Sequence, residues 1–369
     1  MQINNKLRLA IRATAATAIL SVAGQAQAFD FSAGDVDASV YGYTRLNMSY
    51  DIDENLADPS QSGDFSKLSN NGIDGHFGAS AYQSRIGVKA TNASGVMINV
   101  EGDFLGSNNN LRLRHAYGSY KGILAGQTWS NHTTFVGSTP TLDFGGLVAT
   151  AGYQSRVAQL RYTTGPASFS IEDPKGEFAG TAAGTGKKDG TPAFTARFDD
   201  KSGSLSYAAS AVVKQNSYDI GTADDTTIGF GVFGAAKIAI TDMISIQGAI
   251  NYADGATGYI YRSGGKDAYL DNGDLKNLSG VGGTIGTSVN LGGGSSINIS
   301  YGVAKLDVDD LASPTNDPNE TNENAFINYQ WTPAQSVMMG IEYGYYSNET
   351  QGGSSEDANR LMFAAQYNF

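Results

Sequence analysis

Arginine recurs in this chain at alternate positions inside apolar runs. Arg45 belongs to the series Tyr41, Tyr43, Arg45, Asn47, Ser49, interleaved with Val40, Gly42, Thr44, Leu46 and Met48. Arg85 and Lys89 alternate with Ile86, Val88 and Ala90, and Arg112 and Arg114 with Leu111 and Leu113. Arg161 stands between Leu160 and Tyr162, and Arg197 between Phe194 and Phe198. Arg360 opens a last run in which Met362, Ala364, Gln366 and Asn368 alternate with Leu361, Phe363, Ala365, Tyr367 and Phe369. A guanidinium fork matches carboxylate geometry bidentately, so a row of such groups can concentrate and orient anions. The same groups can instead brace nearby acids, and both readings stand at this point.

Other chemistry is thinly provided. His76, His115 and His132 are the only histidines, there is no Cys, and no His-x-x-x-His spacing occurs. That argues against a transition-metal site, and no cofactor motif is present. A hydrolase would need a nucleophile oriented by a His and a third group. By alternation His115 falls on the Leu111/Leu113 face, away from the polar register, while His76 and His132 fall outside the strand-like runs, so no catalytic set is expected. Asp307, Asp309, Asp310, Asp317 and Glu320 could offer oxygens to Ca²⁺, but the glycine spacing of an EF-hand is missing and a solvated loop is the simpler reading.

The elements that carry the arginines read as strands of about ten residues. They fall near 37–50, 82–91, 95–105, 110–120, 122–129, 155–164, 167–173 and 192–200, then 203–216, 225–239, 242–255, 279–291, 294–305, 322–333, 335–348 and 358–369. Connections alternate in length. Asn92-Ala93-Ser94, Gly165-Pro166, Lys201-Ser202, Thr241, Gly292-Gly293 and Pro333-Ala334 mark tight turns, and long polar stretches occupy 51–81, 130–154, 174–191, 256–278 and 306–321. Sixteen alternating strands with short turns on one side and long loops on the other predict one transmembrane antiparallel β-barrel, a closed form that satisfies its backbone between its own strands. A charge on the lipid face near mid-membrane costs about 2–4 kcal/mol, so the alternating arginines must face the lumen. Trp331, Tyr345, Tyr346, Tyr50 and Tyr367 near strand ends suit aromatic girdles at the two interfaces.

The two ends point the same way. Lys6, Arg8 and Arg12, the apolar stretch Ala13 to Ala23 and Ala26-Gln27-Ala28 have the form of a secretory leader over 1–28, with a mature chain from Phe29. No apolar run of 18 residues follows, so no transmembrane helix is available. Removing the leader leaves 21 basic against 36 acidic residues, a balance of −15 that excludes a nucleic-acid role. The acids gather in loops, among them Asp51, Asp53, Glu54, Asp58 and Asp64. Tyr367 and a final aromatic, Phe369, close an apolar dyad that resembles the strand by which outer-membrane proteins are recognised by the barrel-assembly machinery. The expected surroundings are outer-membrane lipid and lipopolysaccharide.

In sixteen-stranded porins the third outer loop folds inward, and here it follows Trp129 and contains His132, Asp143 and Phe144. Leu124-Ala-Gly-Gln-Thr-Trp-Ser130, Pro140-Thr-Leu-Asp-Phe144, Gln159-Leu-Arg-Tyr162 and the preceding Arg112-Leu-Arg-His-Ala-Tyr117 resemble the dicarboxylate-uptake (DcaP-like) branch of the Gram-negative trimeric porins. The barrel-level resemblance covers the mature chain, and the branch motifs cover about 110–162. Members often carry a helical coiled-coil stretch before the barrel, whereas only Phe29 to Val36 precede the first strand here, so nothing tied to that stretch is carried over. The resemblance implies a homotrimer and passive uptake of small anionic, carboxylated solutes. Asp143 would face the arginines and set a transverse field across the constriction. The rivals are a general porin with little selectivity and a plugged structural or adhesive barrel; bulky apolar inward residues would mark the second, and the small polar ones of the inward register argue against it.

Overall fold

The computed structural model describes residues 28–56, 61–68, 74–179, 186–271, 273–311 and 318–369. Residues 1–27 of the expected leader and the loop acids Asp58 and Asp317 lie outside the described residues. Strand alternation is realised as a closed wall of sixteen antiparallel strands. In order these are Val36–Asp51, a broken strand of two arms (His76–Ser80 and Arg85–Asn92), Met97–Asp103, Arg112–Tyr120, Ile123–Trp129, Arg156–Thr164, Ala167–Glu172 and Ala193–Ser202. Then follow Leu205–Asp219, Asp224–Ala239, Ile244–Asp254, Ser279–Gly292, Ser295–Asp307, Asn319–Ala334, Val337–Thr350 and Ser355–Asn368. Each pairs with its neighbour in sequence, and the last pairs with the first from Tyr43↔Asn368 to Asp51↔Arg360. The two arms of the second strand both pair with the first, at its outer and inner ends, so His76 begins a strand instead of lying in a loop.

Leu46, Ile86, Val100, Leu160, Phe194 and Ile341 are exposed on the outer face, as lipid contact requires. Asn47, Asn99, Ser168, Thr195, Ser210 and Asn328 occupy the alternate phase and are buried inside. Tight inner turns need backbone that few side chains tolerate, and Gly203 in the turn after Ser202 takes φ 59°. Tyr346, expected in a girdle, belongs to the inward phase with Glu342 and Gly344 and is fully buried. A second departure comes from a β-bulge in the fourth strand. Glu101 pairs with His115 and Gly102 with Leu113, leaving Arg114 as the extra residue. One inserted residue reverses the phase downstream, so Arg114 and His115 both point inward and the outward placement of His115 is overturned.

The lumen holds a packed apolar core that strand alternation does not announce. Leu56, Phe65 and Leu68 of the first outer loop, Leu147, Val148 and Ala149 of the third, and Ala256, Tyr259 and Ile260 of the sixth meet wall residues Val212, Ala304, Phe326 and Tyr346. The small inward side chains of the wall are what make room for these loops. Outside the mouth, Phe178–Ala179, Ala268–Asp271 and Asp274–Asn277 form a small separate sheet. It is tied down where Lys214 of the ninth strand pairs with buried Asp267.

Candidate functional site: the loop-narrowed channel

The third outer loop, 130–155, leaves the wall at Ser130 and is pinned along one side of the lumen. Glu172 accepts from the Ser130 hydroxyl (2.6 Å) and the Asn131 amide (2.6 Å), and the His132 ring nitrogen Nδ1 meets Ser210 Oγ at 3.0 Å. The chain then passes so close to the eleventh strand that a Cβ on Gly137 would lie 2.1 Å from the Gly248 carbonyl. Asn328 donates to the Pro140 carbonyl at 2.8 Å, and Glu342 accepts the amides of Leu142 (2.8 Å) and Asp143 (2.7 Å). On the return, Asn324 Oδ1 receives the Val148 amide and Asn251 Oδ1 the Gly152 amide, each at 3.0 Å. The loop therefore lies against strands seven to sixteen and the first. Strands two to four, which carry Arg85, Arg112 and Arg114, stand on the other side.

The arginines divide into two groups by what they touch. Arg45 donates to the Leu142 carbonyl at 3.0 Å, Arg161 to the Trp129 carbonyl and Arg197 to the Thr133 carbonyl at 2.7 Å. Arg262, which the strand pattern does not single out, donates to the carbonyls of Gly146 and Gly63. These four brace the loop. Arg360 is fully buried in a bidentate pair with Asp51, at 2.5 and 2.8 Å, and is out of reach of a permeating solute. Lys89 is an exposed lumenal residue nearer the inner end of the wall, level with Ser39 and Asn99.

The second group faces the free side. Arg112 grips Asp103 with two hydrogen bonds (2.9 and 2.8 Å), and Arg114 bridges Glu101 (2.9 Å) and Asp103 (2.7 Å). Arg85 lies 3.7 Å from Glu101. The Phe144 ring projects between them, 5.7 Å from each of the Arg85 and Arg114 guanidinium carbons. Arg156, at the root of the loop, stacks on the Trp129 indole at 3.7 Å and lies within electrostatic reach of Arg85, Arg112, Arg114 and Glu101. Four guanidiniums thus share two carboxylates. Arg85 Nε, Arg114 Nη2 and Arg156 Nε and Nη2 are buried with no acceptor among the described residues. Side-chain exposure runs from 43 % at Arg112 through 21 % at Arg85 to 1 % at Arg114, so Arg112 and Arg85 are the ones open to the lumen. Above them a cavity of about 610 Å³ is lined by Gln61, Phe65, Arg112, Phe144 and Arg262.

Asp143 departs most from expectation. It does not face the arginines across open space. It is buried, accepting from Gly63 N (2.8 Å), Tyr346 Oη (2.6 Å) and Gly146 N (2.9 Å), and ties the first and third loops to the wall. The acids opposite the arginines are Glu101 and Asp103, on a strand of the wall. Their alternation within Met97–Asp103 carried that signal, as did the lone Glu342 in its strand. His132 is buried against Phe233 and Tyr259. His115 bonds Thr128 at 2.9 Å.

A closed sixteen-strand wall, an apolar outer face, a polar inner face and an inward third loop define an outer-membrane porin, a channel and not an enzyme fold. Residues 18–369 match the family model described as DcaP outer membrane protein. The chain belongs to that family. It is similar to the outer membrane channel DcaP of Acinetobacter baumannii, with 28 % identity and a TM-score of 0.83, covering 94 % of this chain and 100 % of that one. It shares the fold of an anion-selective porin from Comamonas acidovorans (12 % identity, TM-score 0.61, 90 % and 100 % covered). It also shares that of the trimer form of OmpT from Vibrio cholerae (14 %, 0.59, 91 % and 100 %). No curated protein matches the chain.

Proposed function

We propose that the chain is an anion-biased diffusion channel for small carboxylated solutes, dicarboxylates among them, working as a homotrimer in the outer membrane after its leader is cleaved. The observation that carries this reading is the surplus at the constriction, where among the described residues Arg85, Arg112 and Arg114 pair with Glu101 and Asp103 and the neighbouring Arg156 pairs with no carboxylate. In a narrow slot with low-dielectric walls such a surplus raises the local anion concentration, and guanidinium forks favour carboxylates among anions. The chain's overall negative charge acts weakly there, because loop charges are screened over about 8–10 Å in saline. The Acinetobacter relative is a channel and the Comamonas porin that shares the fold is anion-selective, which agrees with this reading.

The trimer has its own support. Met97–Asp103, Ile123–Trp129 and Ala167–Glu172 have seven, seven and six residues. A strand needs about 9–11 residues to cross the hydrocarbon, so this low side of the wall is better matched to neighbouring copies than to lipid.

Reversal potentials in planar bilayers under a KCl gradient test the reading, with anion preference expected for the wild type. The double variant Arg112→Gln/Arg114→Gln removes the surplus and should bring the chloride preference close to none, with succinate uptake slowed more than that of a neutral sugar. Arg112→Gln alone, which leaves the buried Arg114 pairs intact, should move both quantities part of the way. A cation-preferring wild type sinks the proposal, and a near-zero wild-type potential gives the general porin instead.

A further inference from the structure

One carboxylate opens onto the cavity above the constriction. Asp64, in the first outer loop, is exposed and belongs to the cavity's lining, and no other acidic side chain among the described residues does. Its Oδ1 accepts the Ser66 amide at 2.9 Å and so caps the short helical turn Phe65–Lys67. Oδ2 has no partner among the described residues, and Asp64 enters no ion pair there. The two cations on the same wall are committed to different degrees. Arg262 spends its donors on Asp143 and on the carbonyls of Gly146 and Gly63. Arg112 gives Nε and Nη2 to Asp103 and keeps Nη1, on a side chain 43 % exposed. The cavity therefore offers a solute one open negative group and one open positive edge. Phe65, Leu105 and Phe144 give it an apolar wall, which concentrates the field between the two. Its volume of about 610 Å³ is that of a small-molecule pocket, about 300–1,000 Å³.

We infer that this cavity receives dipolar solutes, which carry an ammonium group beside their carboxylates, and that Asp64 takes the ammonium while a carboxylate turns to Arg112. This rests on the proposed function, which already gives the carboxylate end to the arginines, and adds the charge at the other end. Asp64 supplies, from the first loop, the opposing charge expected of Asp143, which is buried instead. A simple dicarboxylate meets Asp64 as a repulsion, and an amino-dicarboxylate meets it as a partner. Succinate and free aspartate share one carbon skeleton and differ by that ammonium, so the pair isolates the contact.

The test uses the full chain in planar bilayers, with chloride current titrated against succinate, free aspartate and malate. Asp64→Asn keeps the cap to Ser66, since Asn caps as well as Asp, and removes the charge. It should raise the half-saturation for aspartate about threefold, as loss of an exposed ion pair does, and lower that for succinate by removing a repulsion. The aspartate-to-succinate ratio is the readout. Asp64→Glu restores the charge and should keep most of the wild-type ratio. Asp64→Ser, which also caps, carries the test if Asp64→Asn does not insert. Malate, with an uncharged hydroxyl on the carbon that bears the ammonium, should follow succinate. A malate response as large as that of aspartate overturns the assignment to an ammonium group. A wild type that prefers anions, with the ratio unchanged in both charge-removing variants, overturns the site and leaves the proposed function standing. A wild type that prefers cations removes both.

Discussion

Glu342 accepts the amides of Leu142 and Asp143 and the side-chain amide of Asn328, so both its oxygens serve to hold the third loop. Replacing it by Ala leaves two buried backbone donors without acceptors, at about 1–3 kcal/mol each. We expect Glu342→Ala to loosen the loop tip, giving a larger and noisier single-channel conductance. Conductance and noise equal to wild type would mean that Asp143, through Gly63 and Tyr346, suffices alone. Residues of this kind are half legible in the sequence. Alternation announces that Arg85, Arg112 and Arg114 face inward, because an outward charge is too costly. It is silent on whether an inward arginine meets a solute or a carbonyl, since that depends on cross-strand register and on where a distant loop lands. Arg45 and Arg161 alternate as Arg85 does, yet Arg45 bonds a loop carbonyl and Arg161 the carbonyl of Trp129 at the loop's root.

At the level of elements, the third loop owes its path to buried groups that fit only in one protonation state. His132 is enclosed by Phe233, Tyr259 and Ser210, and burial, with Arg197 adding to it, pushes its imidazole down to about 3. An unfolded His titrates near about 6.5. The folded group is depressed, so the stabilisation from its neutral form is complete above about 6.5 and is lost progressively as pH falls toward 3. Acidification from pH 7 to pH 4 should therefore make the wild-type channel noisier, and His132→Asn should remove most of that pH dependence. Identical wild-type traces at the two pH values would dismiss the argument. Elements also show where sequence reading stops. A single bulge at Arg114 turns His115 inward, and nothing in Arg112–Tyr120 announces it. The sixth loop's inward excursion hides in the same way, because Tyr259 and Ile260 look like ordinary loop residues until their partners Tyr153 and Val148 are in place.

For the whole molecule, closure is the governing requirement, since an open sheet edge in lipid leaves backbone groups unpaired. The seam joins the first strand to the last over Tyr43–Asp51, and it ends where Gly42 and Phe369 exchange backbone hydrogen bonds of 3.0 Å in both directions. Below that point Phe29–Ala33 pairs with Val36–Val40 on the same edge, so the first strand stays covered along its length. Gly42 is the position that permits this. A Cβ there would lie 2.9 Å from the Phe369 ring and 2.3 Å from the Arg85 carbonyl, so the aromatic can sit against the joint only because the side chain is missing. Two substitutions on opposite sides of the seam should then fail alike. Phe369→Asp removes the ring and sets a charge beside the lipid face, and Gly42→Val forces the ring away while leaving Phe369 itself intact. Both should lower the amount of folded, heat-modifiable barrel in outer-membrane fractions several-fold and leave protease-sensitive chain behind. Loss with Phe369→Asp but normal levels with Gly42→Val would separate the two roles, making the terminal aromatic a recognition signal for the assembly machinery and not a packing element of the seam. Normal levels for both would show that the backbone pairs from Tyr43 to Asp51 close the barrel unaided.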